Sequence, residues 1–135
     1  MNEATIWDEG LSIDRGPIDL QHKQLLALTT TITATAKAGN LAEIHALFLQ
    51  LSRECRLHFL TEEAYMEQLR YPHREEHRQE HHRLLRHVEG LLEPRVADSP
   101  GDTAAVMDCI RSLVLMHILN DDLEIRHFVQ EQASA

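Results

Sequence analysis

The chain has 135 residues, a length that suits one domain with a single core and is short for two. Its 22 acidic and 13 basic residues give a formal net charge of −9, so repulsion from phosphate excludes nucleic acid and anionic membranes as expected partners. Five glycines and 4% aromatic residues favour an all-α domain over an all-β one.

Residues 1–17 show no sustained periodicity and include Gly10, Gly16 and Pro17, so we predict an extended N-terminal arm. Trp7, the one tryptophan of the chain, is expected to anchor this arm to the core. The first residues lack the basic start and apolar centre of a signal peptide, and no apolar run approaches the roughly 20 residues that span a bilayer. A cytoplasmic protein is therefore expected.

Two predicted helices follow the arm. The first covers about residues 18–38, where apolar residues keep helical spacing until Gly39. The second covers about residues 41–69, where apolar residues recur in alternating steps of four and three. This pattern places His58 and Glu62 at core positions of the second helix.

Two further predicted helices complete a bundle. One covers about residues 73–96 and begins after Pro72, which can open a helix but not continue one; the other covers about residues 102–130. The breaker-rich residues 98–101 separate them. Short turns make neighbouring helices antiparallel, so we predict an up-down-up-down four-helix bundle that forms one domain over 1–135.

Polar side chains at helical spacing indicate a metal site. His58 and Glu62, and likewise His77 and His81, are spaced i, i+4, so each pair lies on one helix face. A single buried histidine is usually part of a hydrogen-bonded core. However, each unpartnered buried polar group costs about 1–3 kcal/mol, against a net stability of about 5–15 kcal/mol. A metal ion would satisfy all four groups together.

The turns place these pairs at one level of the predicted bundle. Halfway between the centres of the two pairs lies Arg70, in the turn between the second and third helices. The midpoint in sequence between His22 on the first helix and the pair on the second helix is Leu41, beside the turn that joins these helices. The midpoint between the pair on the third helix and the centre of His117 and Asp122 on the fourth helix likewise lies in the last turn. Equal rise along the helices then brings candidate ligands from all four helices into one layer.

This pattern resembles the hemerythrin family, specifically bacteriohemerythrin, from Trp7 to about residue 128. The matching motifs are Ile18-Asp19-Leu20-Gln21-His22, His58-Phe59 with Glu62-Glu63, Tyr71-Pro72, His77 with His81, and His117-Ile118 with Asp122. The resemblance implies reversible dioxygen binding at a non-haem centre of two iron ions with a bridging oxo or hydroxo group. It implies that two carboxylates, Glu62 and Asp122, bridge the irons. It also implies five histidines as terminal ligands, namely His22, His58, His77, His81 and His117.

The resemblance also implies where dioxygen binds. Three histidines would bind one iron, and His22 and His58 the other, which leaves one coordination position for dioxygen. The implied apolar pocket around this position is lined by Leu25, Phe59, Leu113, Val114 and Ile118.

The second bridging carboxylate is not decided by helix geometry. On an ideal α-helix Asp121 lies about 40° from His117 and Asp122 about 140° away, so periodicity alone selects Asp121. The family spacing selects Asp122, which we follow, with Asp121 as the alternative.

Three positions depart from the family. Leu113, Ile125 and Arg70 stand where the family usually has tryptophan, tyrosine and glycine. Leu113 would fill less of the pocket wall, and Arg70 would be strained if its turn requires a positive φ.

The other candidate ligands are assigned no chemistry. Five histidines are expected on the solvated surface: His45, His73, His82, His87 and His127. Cys55 and Cys109 lack CxxC spacing and are expected to be small buried hydrophobic side chains.

Three functions are consistent with these residues. The first is reversible dioxygen binding for carriage, storage or sensing, in which sensing would require a separate protein partner. The second is a redox enzyme acting on peroxide, nitric oxide or iron(II), and the third is a metal buffer holding zinc or manganese. The histidine-rich ligand set favours the first and no enzymatic activity, since the glutamate-rich sites of ferritin-like bundles suit oxidative chemistry.

Overall fold

The computed structural model describes Trp7 and residues 9–91, 108–109 and 111–134, and within these ranges all regular structure is helical. The first three helices are α1 (Pro17–Lys37), α2 (Leu41–Leu69) and α3 (Arg74–Leu91), and a short 3-10 helix precedes α1 at Glu9–Leu11. The last helical stretch is α-helical at 111–116, forms a π-turn at His117–Asp122, and continues as α4 (Leu123–Ser134). The all-α prediction is confirmed for these residues. None of the described helices combines the length and apolar character that a bilayer crossing requires.

Helix α1 begins where a carboxylate can bind its free N–H groups. Asp14 accepts hydrogen bonds from the backbone N–H groups of Ile18 and Asp19 at 3.0 and 3.2 Å. Pro17, the first residue of the helix, has no N–H to satisfy. The buried Asp19 carboxylate accepts hydrogen bonds at 2.5–3.0 Å from the Ser12 hydroxyl and from the backbone N–H groups of Ile13 and Arg15. These bonds fix the segment before α1 against its first turn, directly ahead of His22.

Helix α2 ends at Arg70, whose backbone is left-handed, with φ 55° and ψ 41°. The Arg70 N–H donates to the carbonyl of Glu67 at 3.1 Å and the Tyr71 N–H to that of Met66 at 3.0 Å, which is the bond pair of a Schellman motif. Tyr71 and Met66 also pack in one hydrophobic cluster. Strain at Arg70 was predicted if its turn requires a positive φ, and the turn does have one. For a residue with a Cβ this backbone conformation costs about 1–2 kcal/mol.

Two hydrophobic clusters fill the interior, one on each side of a layer of buried polar side chains. Along α1, Ile18 belongs to the smaller cluster, His22 to the polar layer and Leu25 to the larger cluster. The last helical stretch runs through the three in the reverse order, with Val114 in the larger cluster, His117 and Asp122 in the polar layer and Ile125 in the smaller cluster. The polar layer is thus enclosed by apolar side chains above and below.

Trp7 and Cys55 belong to the interior, whereas Cys109 does not. Trp7 packs against the larger cluster, and its ring lies 5.1 Å from the Lys23 ammonium. Cys55 is buried as predicted, and burial raises the pKa of its thiol to about 12. The predicted burial of Cys109 is wrong, because its side chain is exposed. Cys109 precedes the buried Val114 by five positions, which places it about 140° away around an α-helix.

Candidate metal centre

Seven buried polar side chains meet in the layer between the two clusters. Each exposes at most 6% of its surface, and they come from α1, α2, α3 and the π-turn: His22, His58, Glu62, His77, His81, His117 and Asp122. The structure therefore brings together every residue that the resemblance implied as a ligand. Polar groups are rarely buried in such number without a common partner.

The seven side chains form two overlapping groups, in each of which one possible ligand atom from every residue lies within 4.8 Å of all the others. The first group has three histidines, namely His77, His81 and His117, together with Glu62 and Asp122. The second has two histidines, His22 and His58, together with the same two carboxylates. Both carboxylates thus belong to both groups.

Each carboxylate directs one oxygen to each group. Glu62 Oε1 lies 2.5 Å from Nε2 of His77, while Glu62 Oε2 lies 3.1 Å from Nε2 of His58. Asp122 Oδ1 lies 3.0 Å from Nε2 of His77, while Asp122 Oδ2 lies 2.8 Å from Nε2 of His22. This is the arrangement by which a carboxylate can bridge two cations.

Several of these atoms are buried without a hydrogen-bond partner among the described residues. Nδ1 of His22 is one of them, and the others are four possible ligand atoms, namely Glu62 Oε2, His117 Nε2 and both carboxylate oxygens of Asp122. The oxygens of Asp122 lie 2.8 Å from Nε2 of His22 and 3.0 Å from Nε2 of His117, but neither oxygen has a hydrogen bond among the described residues. Imidazole nitrogens and carboxylate oxygens are ligands for first-row transition metals, so two such ions fit the layer and would satisfy the four ligand atoms.

The π-turn decides which aspartate enters the layer. Its i→i+5 hydrogen bonding brings Asp122 onto the same side as His117, and Asp122 is fully buried there. Asp121 lies outside the layer, with its Oδ2 atom 3.2 Å from Nδ1 of His117. Periodicity selected Asp121 on the assumption that this turn is an ideal α-helix, and that assumption is wrong here.

Three outer side chains contact the Nδ1 atoms of the buried histidines. Gln21 contacts His58 at 3.0 Å and Glu63 contacts His81 at 2.8 Å, in the same way as Asp121 contacts His117. The sequence motifs did not assign these outer roles. The sequence did carry a signal for these contacts, because Gln21, Glu63 and Asp121 are each adjacent in sequence to a residue of the layer.

The charges within the layer depend on one another. Burial lowers the pKa of His22 and His77, but the nearby carboxylates of Asp122 and Glu62 favour the protonated imidazoles, outweigh burial and raise both pKa values from 6.5 to about 9. Burial raises the pKa of Glu62 and Asp122, yet the surrounding histidines hold both well below their usual range. Without metal, protons on the imidazoles therefore balance the two carboxylates. A metal ion would compete with these protons for the same atoms.

Three of the expected pocket residues lie in the larger cluster, namely Leu25, Phe59 and Val114. Phe59 stacks on the His81 ring with a centroid distance of 4.1 Å and an interplanar angle of 9°. Leu113 is only partly buried, and the side chain of Ile118 lies outside the described residues. Of the expected apolar wall, the part formed by Leu25, Phe59 and Val114 is therefore buried beside the layer.

The remaining histidines lie on the surface, as predicted. The exposed set is His45, His73, His82, His87 and His127. His73 is 2.9 Å from Glu76, in an exposed ion pair. The buried layer therefore accounts for the other five of the ten histidines.

Comparison with known proteins agrees with this geometry. A family model described as Hemerythrin HHE cation binding domain matches residues 17–131, a span that contains all seven side chains of the layer. No curated protein with which the chain was compared matches it. The match covers most of the 135 residues, and the chain belongs to the hemerythrin HHE cation binding domain family.

Proposed function

We propose that this chain binds dioxygen reversibly at two iron ions held in the buried layer. One ion would be held by His77, His81 and His117, and the other by His22 and His58. Glu62 and Asp122 would bridge the two ions, together with an oxo or hydroxo group. The observation that carries the proposal is that each carboxylate directs one oxygen to each group of histidines.

A single metal ion would leave much of the layer unsatisfied. If only the three-histidine group were occupied, Glu62 Oε2 and Asp122 Oδ2 would remain buried without a hydrogen-bond partner among the described residues. Buried polar atoms in that condition cost about 1–3 kcal/mol each. A second ion beside His22 and His58 would satisfy both oxygens, which favours a pair of ions.

The unequal number of histidines supports binding of a small exogenous molecule. When bound, a pair of iron(II) ions supplies the electrons that dioxygen accepts on binding and returns on release. The group with His22 and His58 has one imidazole fewer than the other, so we place dioxygen on that side. Phe59, Leu25 and Val114 are buried in the cluster beside the layer and exclude water from it.

We also propose that the helices run up-down-up-down, with residues 1–17 as an arm on the bundle and the chain forming one domain. Short turns join α1 to α2 and α2 to α3, α1 packs against α2, and α2 packs against α3. Short connections of this kind require antiparallel neighbours. The packing of Trp7 against the larger cluster supports the position of the arm.

The test is reversible oxygenation. Anaerobic iron(II) protein is exposed to air and then to argon while its absorption spectrum is followed. A change in air that reverses under argon is the expected result. Irreversible oxidation would replace the proposal with a redox enzyme, and no change with a metal-buffering or structural role.

His73, which directly precedes α3, and His77, one turn later within α3, provide a matched pair of variants. His77→Gln alters a histidine of the layer, whereas His73→Gln alters an exposed histidine paired with Glu76. The His73→Gln protein should bind two iron ions and oxygenate like the parent, and the His77→Gln protein should lose both properties. Equal behaviour of the two variants would show that the spectrum does not report on the layer.

A further inference from the structure

The imidazoles of the layer differ in the groups that bind their outer nitrogen. In the three-histidine group, Nδ1 of His81 lies 2.8 Å from the Glu63 carboxylate and Nδ1 of His117 lies 3.2 Å from the Asp121 carboxylate. In the two-histidine group, Nδ1 of His58 lies 3.0 Å from the side-chain oxygen of Gln21. One group is therefore backed by two anions. In the other, His58 is backed by a neutral amide, and Nδ1 of His22 has no hydrogen-bond partner among the described residues.

The orientation of the Gln21 amide is fixed by its neighbours. The Thr61 hydroxyl donates to the carbonyl of Leu57 at 2.9 Å, which leaves its oxygen to accept a hydrogen bond from Nε2 of Gln21 at 3.0 Å. The Gln21 oxygen must then face His58, where it accepts a hydrogen bond from Nδ1–H. This places the proton of His58 on Nδ1 and leaves Nε2 free to bind a metal.

Carboxylate and amide acceptors have different effects on a metal-bound imidazole. An anionic acceptor for Nδ1–H makes the imidazole more basic, so its Nε2 atom binds a cation more strongly. A neutral amide orients the ring in the same way but adds less to its basicity. Such outer partners commonly change metal affinity by about 10–100-fold.

We propose that Gln21, Glu63 and Asp121 are positioning residues that make the two metal positions unequal. The position formed by His77, His81 and His117 holds its ion more tightly, and the position formed by His22 and His58 releases its ion first. The choice of an amide at Gln21 is what keeps the second position weaker. This inference rests on the proposed occupancy by two ions but not on dioxygen binding.

The experiment measures the release of iron(II) from the anaerobic two-iron protein to an excess of a chromogenic chelator. The parent should release its iron in two phases of equal amplitude. Gln21→Glu exchanges the amide for a carboxylate of the same shape and should slow the fast phase about tenfold. Glu63→Gln makes the opposite exchange and should speed the slow phase about tenfold, as should Asp121→Asn.

Exposed positions on the same helices provide controls for charge. Gln24→Glu adds one negative charge on α1, and Glu67→Gln removes one on α2, without a contact between either position and the layer among the described residues. Both controls should leave the two release rates within about twofold of the parent. A slower fast phase in Gln21→Glu cannot arise from general damage to the fold, because damage accelerates release.

A second variant acts through Gln21 without changing any charge. Thr61→Val removes the hydroxyl that fixes the Gln21 amide, so the fast phase should become faster while the slow phase stays unchanged. This variant decides the question if Gln21→Glu fails to fold. Equal release of both ions in the parent, or rates in the variants that match their controls, would overturn the inference while leaving two-iron binding intact. Fewer than two iron ions in the parent would refute the proposed occupancy itself.

Discussion

Removing the metal should destabilise the fold by several kilocalories per mole. Four buried ligand atoms lack a hydrogen-bond partner among the described residues, namely Glu62 Oε2, His117 Nε2 and both oxygens of Asp122. At about 1–3 kcal/mol for each atom, the penalty is roughly 4–12 kcal/mol, comparable to the whole net stability of a domain. Ion pairs of the Asp122 oxygens with protonated His22 and His77 offset part of this penalty, so we expect the lower half of the range, roughly 4–8 kcal/mol.

The assay is thermal unfolding followed by circular dichroism under anaerobic conditions, with two equivalents of iron(II), with a chelator, and with magnesium. For a chain of this length the expected difference corresponds to a melting temperature about 15 °C or more higher with iron(II) than with the chelator. Magnesium prefers oxygen ligands in octahedral geometry and should match the chelator. Equal melting temperatures with iron(II) and with the chelator would refute the argument that the unpartnered atoms are ligands.

Three further predictions follow from particular residues. The raised pKa values of His22 and His77 stabilise the metal-free fold fully below pH 6.5, and this contribution is lost as the pH rises through about 9. Urea denaturation of the metal-free protein should therefore give a lower stability at pH 9.5 than at pH 6, and equal values would contradict the role of these protons. Glu62→Ala removes a bridge between two cations and should cost at least one iron per chain by metal analysis; retention of two would reject the bridge. Arg70→Gly relieves the positive φ and should stabilise the fold by about 1 kcal/mol in urea denaturation. Arg70→Ala keeps the Cβ and should give no such gain, and an equal gain would assign the effect to the charge.

The periodicity of the sequence predicted the helical core because most apolar positions of the period are buried side chains. In α2, for example, Ile44, Phe48 and Leu51 expose at most 3% of their surface. Continuing the same steps along α2 leads to His58 and Glu62, which are buried as well. Polar residues at positions where the period calls for a core residue were therefore the sequence signal for the layer. This signal could be recognised because the period continues without interruption along α2.

Periodicity could not predict two of the three outer contacts, because these two cross between helices. Gln21 on α1 reaches His58 on α2, and Glu63 on α2 reaches His81 on α3. Spacing along one helix reports which residues share a face, but it does not report which side chains of two helices come within 3 Å. Those contacts depend on the rotation of each helix about its axis, which the packing of the whole bundle determines.

The π-turn shows why the fourth helical stretch differed from the others. In an α-helix, consecutive residues such as Asp121 and Asp122 point about 100° apart, and only Asp121 would share the face of His117. The wider π-turn brings Asp122 onto that face as well, where it reaches the inner side of the layer, while Asp121 still contacts the outer nitrogen of His117. One local change of geometry therefore supplies both an inner carboxylate and an outer one from adjacent positions. A single π-helical turn within an α-helix is rare and is frequently found at functional sites, so its presence between the two hydrophobic clusters supports the argument that the layer binds a ligand.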